Sequence, residues 1–209
     1  MAPFRVRQHV NPLSQKYQQG ITSLDWGKIY LHPQQPLYLD IGCARGKFLL
    51  EMAQLQPQNN FLGIEIRQPL VEYANIERDR LELTNLHYLF ANANVVIAEL
   101  LPPASLAGVT IQFPDPWFKR RHQKRRVVQP ELVEALATRV RSGGFIFIQS
   151  DILEVAEEIR DRFAAHPSFI DQAPGQWLAT NPLSVATERE LWVLEHDLPV
   201  YRCWFTRGA

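Results

Sequence analysis

From Leu37 onward the chain alternates between short apolar runs and amphipathic stretches. Leu37–Ile41 (L-Y-L-D-I), Phe61–Ile66, Leu86–Phe90, Val109–Phe113 and Phe145–Gln149 have the length and apolar content of buried strands. Between them, Lys47–Leu55 sets Phe48, Leu49, Met52, Ala53 and Leu55 at helical spacing, with Pro57 as a stop. Leu70–Leu83 interleaves Leu70, Tyr73, Ala74, Ile76 and Leu81 with charges, an amphipathic helix. Val95–Leu101, Glu131–Val140 and Ile152–Phe163 read as further helices, the second closed by Gly143-Gly144. The tail offers a helix from Glu188 and a last strand near Val200–Phe205. Strands alternating with helices imply successive right-handed βαβ units. The predicted fold is α/β, a doubly wound and mostly parallel sheet covered on both faces; the unbroken F-I-F-I at Phe145–Ile148 suits a strand buried on both sides.

Residues 1–36 behave differently. They are polar, carry Pro3, Pro12, Pro33 and Pro36, and show weak periodicity. They read as an N-terminal arm with a short helical piece, ahead of a single domain at 37–209. Met1–Arg7 has charges with no apolar stretch behind them, so it does not read as a secretory leader. No apolar run reaches the ~18 residues that a membrane span needs. Cys43 and Cys203 are the only cysteines, too few for a disulfide scaffold and without zinc-ligand spacing, and the six histidines contain no His-x-x-x-His pair, so no metal is expected. These features place the expected protein in the cytoplasm. At 46% apolar and 21% charged residues, the chain is not disordered.

Charge changes the picture. The formal net charge is zero, yet Lys119–Arg126 (K-R-R-H-Q-K-R-R) holds six of the 22 basic residues and no acid. The remainder therefore carries 16 basic against 22 acidic residues, a net of −6. Such a segment attracts phosphate locally, and the expectation is a nucleic-acid footprint in which Arg125 and Arg126 contact RNA phosphates.

In open α/β sheets the ligand lies beyond the carboxyl ends of the strands, which singles out the loops there. After the first strand comes Asp40-Ile41-Gly42-Cys43-Ala44-Arg45-Gly46. Gly42 and Gly46 allow a tight turn and a close backbone approach. Glu65, 19 residues beyond Gly46, can accept hydrogen bonds from both hydroxyls of a ribose. The spacing is Gly-x-Ala-x-Gly rather than the dinucleotide pattern, and Asp40 suits an ammonium better than a pyrophosphate. S-adenosylmethionine carries an ammonium, a ribose and an adenine. Asn92, just past the third strand, would either meet the adenine amino group or cap the next helix. After the fourth strand, Pro114 and Pro116 stiffen the loop around Asp115. Trp117 adds a surface for a base to stack on, and Lys119 opens the basic run.

The stretch Phe113–Val128, F-P-D-P-W-F-K-R-R-H-Q-K-R-R-V-V, resembles the signature of the bacterial tRNA (guanine-7)-methyltransferase family. The likeness runs in order from Leu37 to Phe205, through the Asp40–Gly46 loop, Gly63-Ile64-Glu65, Asn92-Ala93, Asp151 and Thr187-Glu188-Arg189-Glu190. It implies the fold of S-adenosylmethionine-dependent methyltransferases and methyl transfer from that cofactor to guanine N7 at position 46, in the tRNA variable loop. It implies cofactor contacts at Asp40, Gly42, Gly46, Glu65, Asn92 and Asp115, with Asp115 also catalytic. Substrate contacts would come from Lys119, Asp151, Thr187, Glu188, Arg189 and Glu190. Thr187 and Glu190 also have the spacing of a helix capping box. Ala44 departs from the middle glycine that many members have, which implies tuned affinity. Two other readings remain in view: a methyltransferase acting on an exocyclic amine, whose usual Asp/Asn-Pro-Pro-aromatic loop is one proline longer, and a non-catalytic RNA-binding module.

Overall fold

Why the ligand edge is built as it is follows from the sheet. The computed structural model describes residues 10–21 and 23–209; the reading of Met1–Arg7 lies outside them. Strands β1 (Leu37–Ile41), β2 (Asn60–Glu65), β3 (Leu86–Phe90), β4 (Leu106–Gln112) and β5 (Val140–Ser150) run parallel. β6 (Phe169–Asp171) and β7 (Tyr201–Arg207) complete the sheet in the order β3-β2-β1-β4-β5-β7-β6, with β7 antiparallel to both of its neighbours. Because side chains alternate along a strand, each strand feeds both faces. Ile41, Ile64, Val109 and Ile146 belong to one buried cluster with residues of α4 (Ala93–Leu100), α5 (Pro130–Arg139) and α6 (Leu153–Ala164). Phe61 and Tyr88 belong to a second cluster, with residues of α2 (Lys47–Leu55) and α3 (Gln68–Arg80).

Two local expectations give way. Gly143-Gly144 do not close a helix, since α5 ends at Arg139 and the glycines lie inside β5. Gly143 sits at φ 73°, and a Cβ on Gly144 would stand 2.7 Å from the Val140 side chain and 2.9 Å from the Arg141 carbonyl oxygen. The pair thus bends the strand's entry, where the β4–β5 register shifts between Leu106 and Gly108. β6 has no counterpart among the strands expected from the sequence, because three residues are too short for a hydrophobic period to register.

The arm rests on the domain. Its described residues include a 3₁₀ turn at Gln15–Tyr17 and the one-turn α1 (Trp26–Ile29). Ile21, Leu24 and Trp26 pack on the larger cluster, and buried Tyr30 donates its hydroxyl to the Phe61 carbonyl at 3.0 Å. Among the described residues no helix is long and apolar enough to cross a membrane, and no group of three or more His, Cys, Asp or Glu side chains has the arrangement of a metal site.

Candidate functional site

Two adjoining cavities open at the carboxyl ends of the strands, and both are walled by Gly42, Arg67, Gln112 and Asp115. The loop after β1 makes their floor. Gly42 adopts φ 82° and Ala44 φ 49°, and the Gly42 and Cys43 amides donate to the Ile64 carbonyl at 2.8 and 3.3 Å. A Cβ on Gly42 would meet nothing within 4 Å, so the space above it is open. Gly46 is different. Its φ is 73°, a Cβ there would stand 2.4 Å from the Tyr88 ring, and Tyr88 donates its hydroxyl to the Gly46 carbonyl at 2.6 Å. Gly46 lines neither cavity; its requirement for glycine comes from turn geometry and from tyrosine packing.

Three polar side chains follow from the strand ends. Asp40 is buried and accepts from the Thr110 hydroxyl at 2.6 Å. Burial pushes its carboxyl up to about 6, against the opposing pull of Thr110 and Gln112. Glu65 is 2% exposed and accepts from the Ala44 amide at 3.0 Å. The same carboxylate takes the Arg67 guanidinium on both oxygens. Asn92 lines the first cavity and caps α4, its Oδ1 accepting from the Asn94 amide at 3.2 Å, while its Nδ2 donates to the Pro12 carbonyl. The cap is thus real, and the arm reaches the same end of the cavity.

The loop after β4 is strained where the chemistry is expected. Phe113 and Trp117 both hold positive φ, 49° and 43°. The Phe113 amide donates to the Gln149 carbonyl at 2.7 Å, tying the loop's start to β5. Its far end is tied by Arg126, which is 4% exposed. Arg126 Nε donates to the Pro116 carbonyl at 2.8 Å and Nη2 to Glu154 at 2.8 Å, and Nη1 pairs with Glu158. Arg125 lies over the Trp117 ring at 5.0 Å. The basic run is therefore not one surface. Lys119, Arg120, Arg121 and Lys124 face solvent, whereas Arg126 points inward, which corrects the expectation that it meets RNA phosphates.

On the opposite rim, Asp151, Thr187, Glu188 and Arg189 line the second cavity. Arg189 pairs with Asp151, and Lys47 at the start of α2 pairs with Glu188. Thr187 caps α7 (Glu188–Glu195), accepting from the Glu190 amide at 3.1 Å. Glu190 itself faces the interior. It is 1% exposed and accepts from Gln149 Nε2 at 2.9 Å, Asn181 Nδ2 at 2.8 Å and Arg202 Nη2 at 2.8 Å. Gln149 also donates to Gln112 Oε1 at 2.8 Å, so a buried polar chain joins the cavity wall to the start of α7. Sequence reasoning missed Gln112, Gln149 and Arg202. The available signal was their polarity inside strands that are otherwise apolar. Lys119 is exposed and lines neither cavity, but its neighbour Phe118 lines the second.

A family model described as "Putative methyltransferase" matches residues 34–203. A tRNA (guanine-N(7)-)-methyltransferase of Trichormus variabilis is 58% identical over 209 residues, covering 98% of this chain and 97% of that one. A protein of the same name from Thermosynechococcus vestitus is 60% identical, covering 98% and 96%. The chain belongs to the tRNA (guanine-N7)-methyltransferase family. Among solved structures, an aminoglycoside-resistance methyltransferase superposes with a TM-score of 0.54 at 16% identity, covering 88% of this chain and 90% of that one. A [4+2]-cyclase superposes at 0.58 with 12% identity, covering 88% and 79%. At such identities the likeness is one of fold, a Rossmann-like sheet shared by proteins of different chemistry.

Proposed function

We propose that this chain transfers a methyl group from S-adenosylmethionine to N7 of a guanine in tRNA, the guanine at position 46 of the variable loop. The observation that carries this reading is the position of Asp115 on the wall common to both cavities, with the exposed basic residues on the same loop. The residues present fit the cofactor. Gly42 leaves open space beside a left-handed turn, Glu65 offers a carboxylate to a ribose, Asp40 offers one to an ammonium, and Asn92 stands at the other end for an adenine. The cofactor supplies a methyl group bonded to a positively charged sulfur.

Guanine N7 has a lone pair and no hydrogen, so no side chain need remove a proton from it. What the protein supplies is alignment and charge. Asp115 accepts from the guanine N–H edge and offsets the positive charge gathering on the base. Asp151, Thr187, Glu188 and Arg189 hold the nucleotide, and Lys119 reaches it from the loop. Glu190 serves the substrate from beneath, by fixing α7. The place of work on this reading is the cytoplasm. The test is incubation with labelled S-adenosylmethionine and unmodified tRNA, followed by nucleoside analysis. The expected product is the cationic N7-methylguanosine; label on an exocyclic amine would favour the amine-directed reading, and no transfer the binding module.

Asp40 gives this reading a pH signature. Its folded value of about 6 lies above the 3.8 of a free side chain, so folding favours the neutral acid. Its contribution to stability is full below about 3.8 and is lost as pH rises through 6, leaving a cost of about 3 kcal/mol at pH 8. An ammonium needs the ionised form. Cofactor affinity should therefore be level above pH 7 and fall by up to tenfold per unit below 6, while Asp40→Asn raises the Tm of the free protein at pH 8 and weakens cofactor binding. Calorimetry at pH 5.0 and 7.5 decides: equal Kd values would remove Asp40 from the ammonium's partners.

A further inference from the structure

The Glu65 carboxylate is fully engaged. Oε1 accepts from the Arg67 amide at 2.9 Å and from Arg67 Nε at 2.9 Å; Oε2 accepts from the Ala44 amide at 3.0 Å and from Arg67 Nη2 at 3.0 Å. A carboxylate has about four lone-pair positions, and four donors fill them. A ribose presenting two hydroxyls meets no spare acceptor there. Two of the four donors are backbone amides, fixed by the end of β2 and by the turn after β1. The other two belong to one side chain. Arg67 is 23% exposed and lines both cavities, and only this side chain can yield.

We infer that Arg67 is a further affinity-determining residue of the cofactor site: its guanidinium occupies the two seats that ribose hydroxyls take on Glu65, and the cofactor must displace it to bind. The inference rests on the reading of Glu65 as the ribose acceptor. The exchange is chemically balanced. Two N–H donors leave and two O–H donors replace them, so the buried carboxylate is never without partners. The departing guanidinium has space in the region where the cavities join, where the charge of Asp115 already acts on it. In the free protein the fork serves a purpose of its own, since a bare carboxylate at 2% exposure is costly.

The inference predicts the opposite sign from a conventional contact residue. Replacing Arg67 by methionine, which retains bulk and cannot donate, should tighten S-adenosylmethionine binding about tenfold by calorimetry, because nothing has to be displaced. The Tm of the free variant should fall, and the rise on adding cofactor should exceed that of the parent. Arg67→Lys keeps the charge without the fork and should fall between them; it carries the test if the methionine variant does not fold. S-adenosylhomocysteine lacking the ribose 2′- and 3′-hydroxyls should gain little from either change. Weaker or unchanged cofactor binding in both variants overturns the inference. Glu65→Gln separates the two levels. If it leaves cofactor affinity unchanged, Glu65 is not the ribose acceptor and both readings fall. If it weakens binding tenfold or more while the Arg67 variants bind no tighter, only the displacement falls.

Discussion

Asp115→Asn should lower turnover by about 10²–10³-fold while tRNA affinity stays within a small factor. The amide keeps the side chain's shape and its place between Pro114 and Pro116, so the loop retains its conformation. What it loses is the negative charge opposite a base that becomes cationic as the methyl arrives. On the proposed reading, ground-state contacts to tRNA are spread over the basic residues, the rim and the loop, so binding has many other supports. Single-turnover rates at saturating tRNA, set beside filter-binding affinities, distinguish the outcomes. Near-normal turnover would reduce Asp115 to a turn residue, and a collapse of binding in step with rate would make it a docking contact.

The second large effect concerns Arg126 rather than the exposed cations. Arg126→Ala leaves the Pro116 carbonyl, Glu154 and Glu158 without their shared partner at a site only 4% exposed. Glu154 is 59% exposed and Glu158 keeps Arg162, so the loss falls mainly on the Pro116 carbonyl and the packing of the arginine stem, ~1–3 kcal/mol, which for a chain of this size corresponds to a Tm lower by roughly 5 °C. The loop carrying Asp115 would lose its far tether, so turnover should fall as well. Arg121→Ala with Lys124→Ala should do the reverse. Stability should hold, while tRNA affinity weakens and the slope of log affinity against log salt drops by about 0.7–0.9 per lost phosphate contact. Thermal melts and salt titrations of both variants suffice. An Arg126→Ala protein with parental Tm and a flattened salt slope would restore Arg126 to the phosphate-binding set.

The contrast between Arg126 and its neighbours shows where reading from sequence stops. Leu37–Ile41, Lys47–Leu55 and Leu86–Phe90 have the same limits in sequence and in structure, because each carries its own hydrophobic pattern, two short apolar runs and one amphipathic helix, bounded by residues that stop it. Local pattern is enough where the cause is local. Within Lys119–Arg126 nothing local separates a solvated cation from a buried one; the acids that draw Arg126 inward lie 28 and 32 positions further on. Glu190 illustrates the same limit. The Thr187 cap was legible as a spacing, but the burial of Glu190 depends on Gln149 and Arg202 from two other strands. Arg67 stands two residues beyond a legible acid, and its hold on that acid is a matter of rotamer rather than of motif. The Asp40, Glu65 and Asp115 constellation was legible because strand ends in this topology converge on one edge.

The placement of β7 has a bearing on how the protein is born. Tyr201–Arg207 follows the other six described strands in chain order, yet it lies inside the sheet between β5 and β6. Until it emerges from the ribosome, β5 carries an open edge on that side and β6 has no partner, an arrangement prone to wrong pairing. Arg202 arrives with the same strand, and without it the buried Glu190 lacks the cation that completes its cluster. The start of α7 is thus seated only after the strand docks. Without those seven residues the contacts of the turn after β1 and of Glu65 are all still encoded, whereas the start of α7, where Thr187 and Glu188 line the second cavity, lacks the cation beneath it.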